Sequence, residues 1–351
     1  MNMQSQSDIV EIDGSYGEGG GQLLRTAVAL SAITQRPVKI KAIRAGRPNP
    51  GLQAQHLKGV EAVASLCDAK LHGARMGSTE LTFVPGKISP RSLKVDIGTA
   101  GAISLVLQAL TLAAAKVDGT TTIELTGGTH VSWSPPVDYF KDVFCKHLKS
   151  IGIEVDIELL RYGFYPKGGG RVRADIKGSQ QWNNMNLDDI FNVEHIVVHS
   201  VASEELRNAR VAERQIEGFK SVIKRPITEK TSYVSSFSIG SAVFGIANCV
   251  TTCLGGDALG KKGIKAEQIG QDAAKNLEAE IRHGVSLDIH AADMIIPYLA
   301  LAEGDSKFTL REQSGHFTSV QWLVRHFVDT EFKVDPKGNI FLVSVHPKNT
   351  N

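Results

Sequence analysis

The chain has 351 residues, of which 42% are hydrophobic and 22% charged, with a net charge of +2. That length favours two domains over one, and so balanced a charge excludes a molecule that holds polyanions over its whole surface, leaving a local basic patch for any such partner. No apolar run approaches the roughly 18 residues of a membrane span, and MNMQSQSDIVEI at the start lacks both the basic residues and the apolar stretch of a signal peptide, so the cytoplasm is the default location.

A strand, a small-residue turn and an apolar helix follow one another in DIVEIDGSYGEGGGQLLRTAVALSA, residues 8–32. The pattern recurs in LKVDIGTAGAISLVLQALTLAAA (93–115) and KFTLREQSGHFTSVQWLVRHFV (307–328), which predicts an internally repeated α+β unit. STELTFV, TTIEL, IGIEVDIELL, GRVRADI and NIFLVSV supply further short strands with partial alternation. Apolar spacing predicts helices over 52–68, through Leu52, Leu57, Val60 and Cys67, and over 136–150 after the Pro135-Pro136 stop. Helices layered on sheets are the expected packing for this alternation.

Residues 187–287 differ in character. They open with polar QQWNNMNLDD, carry a charged helix in EELRNARVAERQIEGFKSVIKR, and offer strands in EHIVVHSVA and SYVSSFSIGSAVFGI. They are read as a smaller inserted α/β domain within a larger one formed by 1–186 and 288–351. Cys67, Cys145, Cys249 and Cys253 have no matching Cys or His pair to complete a zinc site and read as reduced, buried hydrophobes.

The glycine cluster at 17–22 fits neither the P-loop pattern nor, for want of a last glycine, the dinucleotide fingerprint. Two readings stay open: a phosphate cradle at a helix N-terminus, or a tight turn between strand and helix. Glu18 inside the cluster would repel a phosphate unless a hard divalent cation lay between them, which points to Mg²⁺ or Mn²⁺ bound with a nucleotide. KIKAIRAGRPNPG (39–51) is the basic patch; its Arg44 and Arg47 suit phosphate clamping or else form a solvated loop. Gln55 and His56 sit on the following helix, where a lone histidine is more often a helix-surface residue than a catalyst. His195 and His199 fall on a strand, about 13 Å apart, too far to share a metal. His290 and Asp293 are spaced to share a helical face, and His316 sits at a small-residue turn opening a helix, in the place the glycine cluster holds in the first repeat.

GEGGGQLLR (17–25), IRAGRPNPGLQAQHL (43–57), TAGAISLVLQ (99–108), GGTHVSWSPP (127–136), GFYPKGGG (163–170), LGKKGIKAEQIG (259–270) and SGH (314–316) together resemble the RNA 3'-terminal phosphate cyclase family, from about residue 11 to 345. The resemblance implies a large domain of three repeated units, each a four-stranded sheet with two helices, plus the smaller insertion. It implies ATP-dependent, ligase-type conversion of an RNA 3'-phosphate to a 2',3'-cyclic phosphodiester through histidine–AMP and RNA-(3')pp(5')A. By position, His316 matches the nucleophile and Glu18 the metal-binding carboxylate. Arg25, Arg44, Arg47, Gln55 and His56 match residues holding the triphosphate and the RNA end. Gln108, Pro135, His290 and Asp293 match the nucleotide side. The sequence departs from the family at His130 and Trp133 of GGTHVSWSPP, which bears on the adenine pocket. The alternative is a non-catalytic, cyclase-like scaffold in ribosome biogenesis; such relatives are expected to lack the histidine, and His316 is present.

Overall fold

A computed structural model describes residues 9–188 and 192–348. Residues 1–8 of the N-terminal stretch, and Asp189 at the end of the polar QQWNNMNLDD, lie outside the described residues.

The structure contains four four-stranded mixed sheets. The first unit runs β1 (Val10–Asp13), α1 (Gly21–Thr34), β2 (Val38–Lys41), α2 (Ala54–Cys67), β3 (Lys70–His72) and β4 (Leu81–Val84). Its sheet order is β1-β2-β4-β3, with only β1 and β2 parallel. The second unit repeats it with β5 (Ser92–Asp96), α3 (Ile103–Ala115), β6 (Gly119–Gly127), a composite helix, β7 (Glu154–Arg161) and β8 (Gly170–Gly178) in the order β5-β6-β8-β7. The composite helix is α4 (Val137–Tyr139), a π-helical stretch Phe140–Phe144, and α5 (Cys145–Ser150). It starts where the sequence put it, with Pro136 as N-cap, but the π turn interrupts it.

The third unit is split. It begins with β9 (Asn186–Leu187), whose Leu187 pairs in parallel with Phe308. A fourth sheet intervenes: β10 (Val193–Ser203), α6 (Val211–Val222), β11 (Ile227–Val234), β12 (Ser241–Cys249), β13 (Cys253–Leu259) and α7 (Ala266–His283), ordered β11-β10-β12-β13. The unit then resumes with α8 (Ile289–Leu299), β14 (Ser306–Leu310), α9 (Gly315–Val324), β15 (Thr330–Lys337) and β16 (Ile340–Pro347), giving the order β15-β16-β14-β9.

This topology corrects one expectation. Residues 307–328 form β14 and α9, the second strand–helix pair of their unit, whereas 8–32 and 93–115 form first pairs. His316 therefore corresponds to the start of α2, not to the glycine cluster. The local pattern is the same for both pairs, so periodicity cannot tell them apart. Two further differences lie in the insertion. EELRNARVAERQIEGFKSVIKR is helical only from Val211, after a 3-10 turn at Glu204–Leu206 and a left-handed Arg210. SYVSSFSIGSAVFGI is two strands, because β11 runs parallel to β10 and β12 antiparallel, and the chain reverses over 235–240.

One apolar core runs through the three units, and a smaller one joins β10, β12 and β13 to α6 and α7. In the larger core α1 packs on α2, α3 and α9, and α8 on α9, so helices of different units meet face to face. All four cysteines are free; Cys67, Cys145 and Cys253 are buried, while Cys249 is only half-buried. No described helix is long and apolar enough to cross a membrane.

Candidate active site

The helix packing brings the beginnings of four helices together. Gly20, the N-cap of α1, has no side chain to cap the helix, so among the described residues no capping side chain satisfies the first amides of α1. A Cβ at Gly20 would stand 3.5 Å from Arg47 Nη2 and 3.8 Å from His316 Cε1, which places the start of α1 beside the start of α9. A Cβ at Gly21 would clash with His56 Nε2 and lie 2.9 Å from Arg25 Nη1, which sets α1 directly on α2. Gln55 Oε1 accepts from the backbone N–H of Ala102 at 3.1 Å, tying α2 to the N-cap of α3. Converging N-termini add their positive dipole ends and suit an anion.

His316 lies in the first turn of α9, half-exposed, with Nε2 3.2 Å from Glu18 Oε2. Burial pushes its imidazole below the ordinary histidine value; Glu18 opposes this, and Arg25, Arg47 and His290 reinforce it. Burial thus favours the neutral form of the ring. Ser314 caps α9 by accepting from Phe317 N–H, and its hydroxyl donates to Asp293 Oδ1 at 2.6 Å. Asp293, buried on α8, thus fixes the turn that carries His316. Burial raises its carboxyl to about 7, with Ser314 and His290 opposing and Glu18 and Asp288 adding to the rise.

Glu18 is held at the tip of the glycine cluster. Arg47 Nη2 donates to its carbonyl oxygen at 2.9 Å and approaches its carboxylate at 3.7 Å. Gly315 leaves the space that the Glu18 carboxylate occupies, since a Cβ there would meet Oε1 at 2.5 Å. Gly17 has φ +58°, which favours glycine, and its missing Cβ leaves room for Ser319 Oγ. Arg44 donates from Nη1 to the carbonyls of Asn49 and Gly51, bracing its own loop. Lys39 and Lys41 of the basic patch are paired with Glu80 and Glu11. Arg44 and Arg47 are therefore the patch's cations on the side of the site.

His56 is buried, with Nδ1 accepting from Gln53 N–H in a reciprocal cap of α2, which leaves Nε2–H as a donor toward α1. Burial, then Arg25 and Arg44, push it down to about 3, so it is a neutral donor throughout the physiological range. Arg25 is only 6% exposed, and among the described residues it makes no ion pair and its buried Nε has no hydrogen-bond partner. Burial lowers it to about 10, still charged at pH 7.

Arg25, Gln108 and Asp293 line one small cavity with Gln22, Pro297 and Tyr298. The cavity measures about 20 Å³, room for roughly one water, and Gln22 Oε1 and Tyr298 Oη there are also without partners. Ser104, one turn before Gln108 on α3, donates to the Pro135 carbonyl at 2.7 Å, so both nucleotide-side candidates attach to one helix face. His290 is exposed and meets the Tyr139 ring edge-on at 5.8 Å. Gln55 spends its amide oxygen on Ala102. Gln22, Ser314 and Tyr298 belong to the same constellation and were not singled out from the sequence; the Ser-x-x spacing before Phe317 is a capping signal that would have found Ser314.

The family profile described as RNA 3'-terminal phosphate cyclase matches residues 16–334. The chain belongs to the RNA 3'-terminal phosphate cyclase family. Among its relatives, the RNA 3'-terminal phosphate cyclase of Pyrococcus furiosus is 44% identical over 335 residues, covering 95% of this chain and 96% of its own. That of Methanopyrus kandleri is 41% identical, covering 97% and 99%, and that of Methanosarcina barkeri 42% identical, covering 96% and 100%. Similarity to these cyclases extends over the whole region that builds the four converging helix starts.

Proposed function

We propose that this protein converts RNA 3'-terminal phosphates to 2',3'-cyclic phosphodiesters at the expense of ATP, with His316 as the nucleophile. The observation that carries the reading is Arg25: a buried, charged guanidinium without a counter-ion among the described residues, set where helix N-termini converge. An unpaired buried cation is costly, and a phosphate oxygen relieves that cost.

Neutral His316 Nε2 attacks the α-phosphorus of ATP; a P–N bond forms and pyrophosphate leaves. An oxygen of the RNA 3'-phosphate then attacks the same phosphorus, the P–N bond breaks, and RNA-(3')pp(5')A results. The ribose 2'-oxygen finally attacks the RNA phosphorus, losing its proton to solvent as AMP leaves with the P–O electrons. Activation replaces a very poor leaving group by AMP, and the adjacent hydroxyl gains from proximity. Arg25, Arg44, Arg47 and the His56 Nε2–H supply the donors for triphosphate and RNA end. Gln108, Pro135, His290 and Asp293 face the nucleotide.

Glu18 fits a hard divalent cation held by one carboxylate, waters and phosphates, which is how Mg²⁺ is commonly bound. A divalent cation held by Glu18 would neutralise charge between that carboxylate and the phosphates. Opposite the Glu18 carboxylate, Nε2 of a neutral ring carries the proton, so attack from Nε2 requires that proton to pass to Nδ1 through solvent and Glu18 to turn away.

The test is incubation with α-labelled ATP and Mg²⁺ or Mn²⁺, without RNA, beside a His316→Ala variant. Acid-labile, alkali-stable label on denatured wild-type protein, absent from the variant, is the expected result. Absence of label on a wild-type protein that still binds RNA or a protein partner overturns the reading in favour of a scaffold.

A further inference from the structure

The GFYPKGGG segment is the most distinctive motif of the chain, and none of its residues belongs to the site described above. It forms a loop wedged between that site and the inserted sheet. On one side, Gly168 has φ +64° and lies so close to the loop before α3 that a Cβ would stand 2.8 Å from Ala100 Cα. That loop leads directly into Ala102, the residue bonded to Gln55. On the other side, the Lys167 N–H donates to Ser238 Oγ at 3.0 Å, and Gly169 and Gly240 leave the spaces filled by Phe237 and Phe164. The strand segment at His130 runs parallel to Phe164, so the GGTHVSWSPP loop adjoins the same edge.

The outer side of this wedge is unusual. Tyr165 is 75% exposed, Phe237 56% and Ile239 62%, three large exposed side chains gathered at one place. Arg161 stacks its guanidinium 4.4 Å from the Phe237 ring centre while its Nε holds the Gly169 carbonyl. Residues 161–173, RYGFYPKGGGRVR, contain Arg161, Lys167, Arg171 and Arg173 and no carboxylate, and residues 235–240 carry no charge. Arg171 and Arg173 are paired with Glu124 and Asp175, whereas Arg161 and Lys167 make no ion pair among the described residues. An exposed tyrosine ring beside two cations without ion pairs fits an unpaired base and its phosphate, and it does not discriminate between bases, because every base has a π-face.

We propose that the loop 163–170 and the loop 235–240 together form a platform for the single-stranded RNA leading up to the reacting 3'-end. A base stacks on Tyr165, Lys167 neutralises a phosphate, and the stacked Arg161–Phe237 pair forms the neighbouring wall. The strand then enters past Thr99 and Ala100 to the Gln55 side of the site. The inserted domain thereby takes part in substrate binding without contributing to the chemistry. This inference rests on the RNA-end reading of the site.

The test is fluorescence anisotropy with a labelled, 3'-phosphorylated RNA of about ten nucleotides and with a dinucleotide, using the full-length protein and its Tyr165→Ala and Lys167→Ala variants. Both side chains are exposed, so folding is spared, and RNA-free labelling by α-labelled ATP reports the state of the active site separately. Tyr165→Ala is expected to weaken the longer RNA about tenfold and the dinucleotide little. Lys167→Ala is expected to lower the slope of log affinity against log salt by about 0.7. Wild-type affinity and salt slope in both variants overturn the platform, as does equal binding of duplex RNA that is indifferent to Tyr165→Ala. A wild-type protein that binds RNA but takes up no label refutes the catalytic reading alone, and the binding measurements still decide the platform.

Discussion

The ring of Tyr16 lies flat on that of Trp322, with centroids 3.9 Å apart and planes 12° from parallel. Tyr16 precedes the glycine cluster, and Trp322 lies on α9 beyond His316. With Ser319 Oγ lodged against Gly17, the stack clamps the Glu18 loop onto the helix that presents His316, the proposed nucleophile. Such a pair contributes about 0.5–1.5 kcal/mol beyond its buried area. Trp322→Ala is expected to lower the rate of self-adenylylation about tenfold, and Trp322→Phe to restore most of it. Labelling kinetics on both variants, with circular dichroism to confirm folding, check this.

Gly315 is the space in which the Glu18 carboxylate sits. Gly315→Ala puts a methyl group against Oε1 and displaces it. The divalent-ion concentration for half-maximal labelling is expected to rise severalfold, while the labelling rate at saturating ion falls much less. An unchanged ion requirement would refute Glu18 as the metal residue.

Arg25 trades stability for binding. Replacing an uncompensated buried charge by an apolar side chain of similar length removes a desolvation cost, and comparable replacements stabilise by about 1–4 kcal/mol. Arg25→Met is therefore expected to unfold at higher temperature than wild type in the absence of ligand, and to lose the stabilisation that ATP or inorganic phosphate confers on wild type. Thermal unfolding with and without ligand measures both effects.

Glu280 sets a pH dependence. It is buried on α7 with Oε1 3.4 Å from Arg311 Nε and Oε2 without a partner. Burial first, then Asp288, raise its carboxyl to about 7 against the pull of Arg311. Between about pH 4 and pH 7 the folded chain holds a proton that the unfolded chain has released, so this group's contribution to stability falls as pH rises through that window. Asp293, raised to about 7 as well, acts in the same direction. Glu280→Gln is expected to gain stability relative to wild type between pH 5 and pH 8, by about 1 kcal/mol or more. Urea unfolding at the two pH values reads the difference.

The strand–turn–helix units at 8–32 and 93–115 were legible in the sequence, because apolar periodicity and glycine turns impose geometry on their immediate neighbours. The same locality placed Glu18 in a glycine cluster opening a helix, and it recognised His316 at a helix start. β2 escaped notice because its short VKIK alternation reads equally as a basic patch, and β9 because two residues carry no period.

What the tertiary structure alone decided concerns residues far apart in the chain. It assigned α9 to the second pair of a unit interrupted by an inserted sheet, and it set Gly20 against His316 and Gln55 against Ala102. It also buried Arg25 without a counter-ion among the described residues and set the GFYPKGGG loop between the site and the inserted sheet. A local pattern fixes dihedral angles and the direction of a face. The meeting of four helix N-termini depends on how the faces of different units pack, and that information resides in their mutual contacts rather than in any one segment.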